Sequence, residues 1–373
     1  MRTATHGAPA SPDWKKESIS GINRVMALTI PAPPPLLPFP AWLSCLLLAV
    51  TVVMLAGCGP RVQESEPPTN PPRLDPGVAT MPDGQRLPMS RWSAQGGDPE
   101  AVILGVHGFN DYRRAWAVLG QDLRERGISV YAYDQRGFGA TEQRGVWAGT
   151  DVMTSDLAIL SALLREQYPE TPLYIAGESM GGAVTLVTHA RHPDLDIDGT
   201  ILLAPAVWNR GSMPWYQRFG LWAASWVAPE RKLTGSGLEV RPSDNREMLR
   251  ALGRDPLIQR GARVDALSGL ANLMDHAQSA IPDYRGRTLV LYGEKDQIIP
   301  RRPTCEMFRR LPNPDQWRAA LYGEGYHMLT RDLQGTVVRA DIGDWALNPE
   351  GTLSSGEEAL MDGRLGDFCG YRT

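Results

Sequence analysis

Ser179 stands in Gly177-Glu178-Ser179-Met180-Gly181, after the apolar run Leu173–Ala176 and before a stretch of helical character, Gly181–Arg191. A serine at a sharp strand-to-helix turn sits on strained backbone, with Oγ lifted above the sheet and a helix N-terminus aimed at it. A serine hydroxyl is a weak nucleophile and needs a base. Beyond residue 57 the histidines are His107, His189, His192, His276 and His327. Only His327, in Gly325-Tyr326-His327-Met328-Leu329, follows the last strand and arrives from the C-terminal end of the sheet. An acid must orient that imidazole and stabilise its cation. Asp296 ends Gly293-Glu294-Lys295-Asp296, just past the run Thr288–Tyr292, and Glu294 is the fallback. These three side chains could carry out acyl transfer through a covalent intermediate, with no metal or cofactor.

The tetrahedral intermediate needs donors aimed at its oxyanion. The backbone N–H of Met180 is one candidate. The second is the N–H of Phe109, in His107-Gly108-Phe109-Asn110-Asp111 after the run Ala101–Val106. His107 is expected to hydrogen-bond that loop rather than the substrate. Asp134 and Arg136, in Asp134-Gln-Arg-Gly-Phe-Gly139, are expected to fix a turn.

Parallel strands would place these groups. Ala101–Val106, Ser129–Tyr133, Leu173–Ala176, Thr200–Leu203, Thr288–Tyr292 and Arg318–Leu321 read as strands, with an Asp83-Gly84 hairpin turn ahead of them. Arg114–Glu125, Asp151–Tyr168 and Gly181–Arg191 read as helices between them. Such alternation implies an α/β fold, a mostly parallel central sheet with helices on both faces. From about 205 to 285 the rhythm breaks into a mostly helical cap. The order Ser179, Asp296, His327 is that of α/β-hydrolases.

At these motifs the chain resembles the monoacylglycerol lipase and lysophospholipase branch of the α/β-hydrolases, which is also similar to serine aminopeptidases. The matching pieces are HGFND at 107–111, DQRGFG at 134–139, GESMGG at 177–182, SDN at 243–245, DPL at 255–257, GEKD at 293–296 and GYHMLTRDL at 325–333. The resemblance implies an eight-stranded sheet under a helical cap, and hydrolysis of a monoacylglycerol or lysophospholipid. Many members have His where this chain has Glu178, and Gly-Glu-His where it has Asn110-Asp111. Two other readings stay open. An aminopeptidase would need an acid for the substrate amine, and Glu178 is available. A lipid-binding protein could keep the fold without turnover, although the complete triad argues against it.

The N-terminal part reads as an address. No charged residue lies between Arg24 and Arg61, and Ala41–Ala56 is an apolar run with only Ser44 and Thr51 polar. Sixteen helical residues reach about 24 Å, short of the roughly 30 Å hydrocarbon core, which suits a signal peptide better than a span. Arg2, Lys15, Lys16 and Arg24 precede the run. It ends Leu55-Ala56-Gly57-Cys58, similar to the bacterial lipoprotein cleavage box, with Cys58 as the lipidated residue. The expected organisation is a signal peptide over 1–57, a Pro-rich tether over 58–80, a hydrolase domain over 81–350 and a tail over 351–373. The expected location is the bacterial cell envelope, membrane-anchored and facing the periplasm or exterior.

Apolar residues make up 42% of the 373 and charged residues 21%, which excludes a mostly disordered chain and a multi-span membrane protein. The net charge of −4 gives no sign of a nucleic-acid partner, and no protein partner is evident. Trp215, Trp222 and Trp226 share one helical face in the cap. That face either packs on the sheet or meets acyl chains or a membrane surface. Cys305 and Cys369 would face an oxidising compartment, as a disulfide or as two buried thiols.

Overall fold

A computed structural model describes residues 59–235, 237 and 239–371. The expected signal peptide and Cys58 lie outside the described residues.

The main sheet has nine strands rather than the eight that the resemblance implied. They are β1 (Arg73–Asp75), β2 (Val78–Thr80), β3 (Arg86–Trp92), β4 (Ala101–Val106), β5 (Ile128–Tyr133), β6 (Leu173–Glu178), β7 (Gly199–Leu203), β10 (Thr288–Gly293) and β11 (Trp317–Tyr322). β8 (Lys232–Leu233) and β9 (Ala262–Arg263) form a separate antiparallel ribbon. The sheet order is β1-β2-β3-β5-β4-β6-β7-β10-β11. β1 to β3 are antiparallel to their neighbours, and β5 through β11 run parallel. β1 and β2 fall inside the stretch expected as tether. Its first residues are also laid on the body: Gln63 N–H donates to Trp147 O at 2.8 Å, and Arg61 pairs with Glu230 at 2.7 Å.

All six residues of β4 are buried, because helices cover both faces of the sheet. Val102, Leu104 and Val106 belong to one core cluster with residues of α2 (Thr150–Gln167), α3 (Met180–Arg191) and α7 (Arg301–Arg310). Ala101 and Ile103 belong to a second cluster with residues of α1 (Ala117–Arg124) and α8 (Gly335–Leu347). This two-residue alternation under a double cover explains why the central strands read as unbroken apolar runs. The expected helix from Arg114 is instead a 3-10 turn, Arg113–Trp116, leading into α1.

Strand order reverses at β4, whose successor β5 lies on one side and β6 on the other. The loops leaving β4 and β6 therefore diverge and open a crevice at the carboxyl ends of the strands. Between β7 and β10 the chain builds α4 (Trp215–Val227), α5 (Arg246–Leu252) and α6 (Val264–Ala280) over that crevice. On α4, Trp215 and Trp222 are 75% and 60% exposed, so this aromatic face is not packed on the sheet. Trp226 is partly covered, and Leu221 turns inward. A disulfide joins Cys305 of α7 to Cys369 of α9 (Arg364–Cys369), fastening the C-terminal segment to the body. Among the described residues no helix is long and apolar enough to cross a membrane.

Candidate active site

Ser179 is the single residue between β6 and α3, at φ 54° and ψ −114°. Such a conformation costs a non-glycine residue roughly 1–3 kcal/mol and needs support from its surroundings. The support is complete on the backbone. Ser179 N–H donates to Leu203 O at 2.9 Å, and Ser179 O accepts from Ala206 N at 2.8 Å and Ala183 N at 3.1 Å. The flanking glycines are steric requirements. A Cβ on Gly181 would lie 2.0 Å from Val106 O, and one on Gly177 2.6 Å from Gly181 O. Met180 opens α3, so its N–H has no acceptor within the helix.

His327 Nδ1 lies 2.8 Å from Asp296 Oδ2. Asp296 Oδ1 accepts from Ile298 N at 2.7 Å and Ile299 N at 3.0 Å, so both carboxylate oxygens are engaged. The two loops are tied by Lys295 N–H donating to Gly325 O and Glu294 N–H to Tyr322 O, each at 3.0 Å. The Glu294 side chain instead binds Arg364 at 2.7 Å, which takes the fallback acid away from the imidazole. Burial opposes charging of His327. The Asp296 carboxylate outweighs it by charge and hydrogen bond, with Glu178 adding and Arg331 opposing, so the pKa rises above 6.5.

The loop after β4 carries Phe109 to the same place. His107 Nδ1 donates to Gly108 O at 2.8 Å, and its Nε2 accepts from Gln135 N at 3.0 Å. Its burial lowers the pKa, so it is a neutral brace for the loop, as the sequence suggested. Asp134 accepts from Arg113 N and Ala140 N, and Arg136 binds Asp83 and Asp156, which holds the neighbouring turn. Asn110 takes a positive φ of 65°, and its carbonyl accepts from Gln259 N of the cap at 3.0 Å.

Phe109, Ser179 and His327 line one cavity of about 500 Å³, roofed by Trp208, Met213 and Leu221 and walled by Leu270, Met274 and Ile298. The volume is in the range of small-molecule sites. Asp296 lies behind His327 with no exposed side-chain surface. Met180 is buried, with only its backbone available. Among the described residues no group of three or more His, Cys, Asp or Glu side chains could hold a metal ion.

Three further groups escaped sequence reasoning. Arg331 is buried beside Asp111 and Glu178. Asp332 accepts from Ser243 Oγ at 2.6 Å and Tyr326 N at 2.7 Å, and burial pushes its pKa up to about 6. Asn245 Nδ2 donates to Arg331 O at 3.0 Å while its Oδ1 caps α5. The 243–245 motif thus latches the cap to the turn that follows His327. Both stretches stand among the motifs that carry the resemblance, but nothing in the sequence paired them.

A protein-family model described as serine aminopeptidase, S33 matches residues 97–334. A monoglyceride lipase of Rattus norvegicus is 28% identical over 283 residues, covering 74% of this chain and 92% of that one. A monoacylglycerol lipase of Mycolicibacterium smegmatis is 24% identical over 273 residues, covering 71% and 94%. The crystal structure of a soluble variant of monoglyceride lipase from Saccharomyces cerevisiae, in complex with a substrate analogue, superposes with a TM-score of 0.61. At 20% identity it covers 78% of this chain and 98% of that one. The monoacylglycerol lipase of Paleococcus ferrophilus gives 0.59 at 20% identity, covering 70% and 98%. These likenesses in structure show a shared α/β-hydrolase fold. The chain belongs to the serine aminopeptidase S33 family of α/β-hydrolases and is a serine-hydrolase-type member related to the monoacylglycerol lipases.

Proposed function

We propose that this protein hydrolyses carboxylic esters of single-chain lipids, a monoacylglycerol or a lysophospholipid, through an acyl-enzyme. The observation that carries the reading is the meeting of Ser179 and His327 in one cavity whose remaining walls are mostly apolar. An acyl chain lies along those walls with its ester at the polar end. Ser179 Oγ attacks the carbonyl carbon while His327 Nε2 takes its proton. Asp296 holds Nδ1–H and stabilises the imidazolium. The N–H groups of Phe109 and Met180 receive the oxyanion. His327 then protonates the departing alcohol and activates water to release the fatty acid.

An aminopeptidase reading needs a free carboxylate for the substrate amine. Glu178, the candidate, accepts two hydrogen bonds from Arg331, at 2.9 and 3.1 Å, which favours the ester reading. A non-catalytic lipid binder would have no use for the strained Ser179 and the engaged Asp296–His327 pair.

The reading includes export and anchoring through Cys58 to a bacterial envelope membrane. The Cys305–Cys369 disulfide supports an oxidising compartment. Exposed Trp and Tyr on α4, a helix without acidic side chains, suit a lipid interface.

The test is an ester panel on purified protein, spanning monoacylglycerols, lysophospholipids and aminoacyl amides, with Ser179→Ala as control. Turnover of single-chain lipid esters that disappears in the variant is expected. Preference for the aminoacyl amides would overturn the substrate assignment.

A further inference from the structure

Apart from Asp296 on the loop after β10, the candidate catalytic parts sit on three separate segments: residues 107–111 after β4, the elbow at 177–180, and residues 325–332 after β11. One side chain joins all three. Arg331 Nη1 donates to Asp111 Oδ2 at 2.7 Å, and Nη2 donates to Glu178 Oε2 at 2.9 Å and Oε1 at 3.1 Å. Asp111 belongs to the loop that carries Phe109, and Glu178 immediately precedes Ser179. Arg331 follows His327 by four residues through the short 3-10 turn Leu329–Arg331, and its own N–H donates to Met328 O at 2.8 Å. All three side chains are at most 7% exposed.

Burying one cation between two carboxylates is a poor way to gain stability, since apolar side chains of similar size often serve as well or better. The placement of this trio is informative instead. It lies at the wall of the acyl cavity, and Asp111 and Arg331 also border a second groove of about 1150 Å³ on their far side. The planar guanidinium reaches two carboxylates at once, a geometry that an ammonium cannot reproduce.

We propose that Arg331 is a positioning residue that sets the oxyanion loop, the serine elbow and the histidine turn relative to one another. The proposal rests on the triad assignment above. The cap shares in it, because Asn245 and Ser243 hold residues 331 and 332 from the cap side. The charged groups acting on His327 are Asp296 on the loop after β10, Glu178 at the elbow and Arg331 on its own turn. Asp111 lies behind the arginine, and Asp332 lies on the same turn.

Arg331→Lys and Glu178→Gln test geometry and charge separately in the full chain. With a short-chain p-nitrophenyl ester, Arg331→Lys is expected to lose on the order of 10–100-fold in kcat, because loops fall out of alignment, with KM nearly unchanged. Its acid limb stays in place because the charge is kept. Glu178→Gln removes a negative charge facing His327, so the acid limb of kcat/KM moves to lower pH. Folding is checked by circular dichroism. Folded variants of both kinds with wild-type kcat and an unmoved acid limb would overturn the proposal and leave the trio a structural feature. Arg331→Met strands two buried carboxylates and can fail to fold, so it is not the deciding variant. NMR titration of the His327 ring in the resting protein reads the charge effect without turnover. Hydrogen exchange at residues 108–112 and 177–182 reads the positioning, and is expected to quicken in Arg331→Lys. Unchanged exchange and an unchanged His327 pKa would overturn the proposal even if the ester reading failed.

Discussion

Asp296 and His327 lie 31 positions apart in the chain, yet Oδ2 and Nδ1 meet at 2.8 Å. Parallel pairing of β10 with β11 makes this possible, because it brings the two following loops out at the same edge. With Nδ1–H donated to the carboxylate, Nε2 is left free to act as a base. Asp296→Asn would present the wrong hydrogen-bonding partner and favour the wrong tautomer. A loss of about 10⁴ in kcat is expected on an ester substrate, with the fold intact by circular dichroism.

The pH dependence follows from the same pair. The pKa of His327 lies above 6.5, and a general base must be neutral. The acid limb of kcat/KM is therefore expected above pH 6.5, with activity rising as pH passes the raised value. Stability runs the other way across that window. The contribution of charged His327 is fully present below its unfolded value of about 6.5. It is lost as pH rises through the folded value. A pH–rate profile beside thermal melts at the same pH values checks both slopes.

The aromatic face of α4 gives a third expectation. Trp215 and Trp222 are largely exposed, and their replacement disturbs little of the core. Trp215→Ala with Trp222→Ala should weaken binding to phospholipid vesicles while leaving hydrolysis of a soluble short-chain ester nearly unchanged. Sedimentation with vesicles is the measurement, and equal binding by the variant and the parent would remove membrane docking through this helix.

The Cys305–Cys369 bond closes a loop over a sequence separation of 64, for which chain entropy predicts about 4 kcal/mol of stabilisation. Neither cysteine lines the cavity that holds Ser179 and His327. Cys305→Ser with Cys369→Ser should therefore lower the denaturation midpoint by an amount equivalent to roughly 2–4 kcal/mol and leave kcat nearly unchanged. Urea unfolding beside an esterase assay at low temperature would measure both.

The parts of the site that could be read in the sequence are those whose geometry is local. Gly177 and Gly181 are needed within four residues of each other, so the elbow around Ser179 announces itself. Asp296 and His327 each follow an apolar strand, and chain order supplies the rest. Arg331 gave no comparable signal. Its partners lie 220 and 153 positions away, so no local spacing pairs it with them. The Asp83-Gly84 turn marked the hairpin of β2 with β3, but β1 was hidden by the prolines around it, since a short edge strand buries little and needs no long apolar run. The cap was legible as helical, but its small ribbon of β8 and β9, only two residues each, left no periodic pattern to find.

The most direct test of the central claim is labelling with a fluorophosphonate, read by intact mass. Activated Ser179 predicts one adduct per chain, absent in Ser179→Ala and slowed by orders of magnitude in His327→Ala. A folded parent protein that takes no adduct, or one that labels equally after Ser179→Ala, would contradict the assignment of Ser179 as the nucleophile.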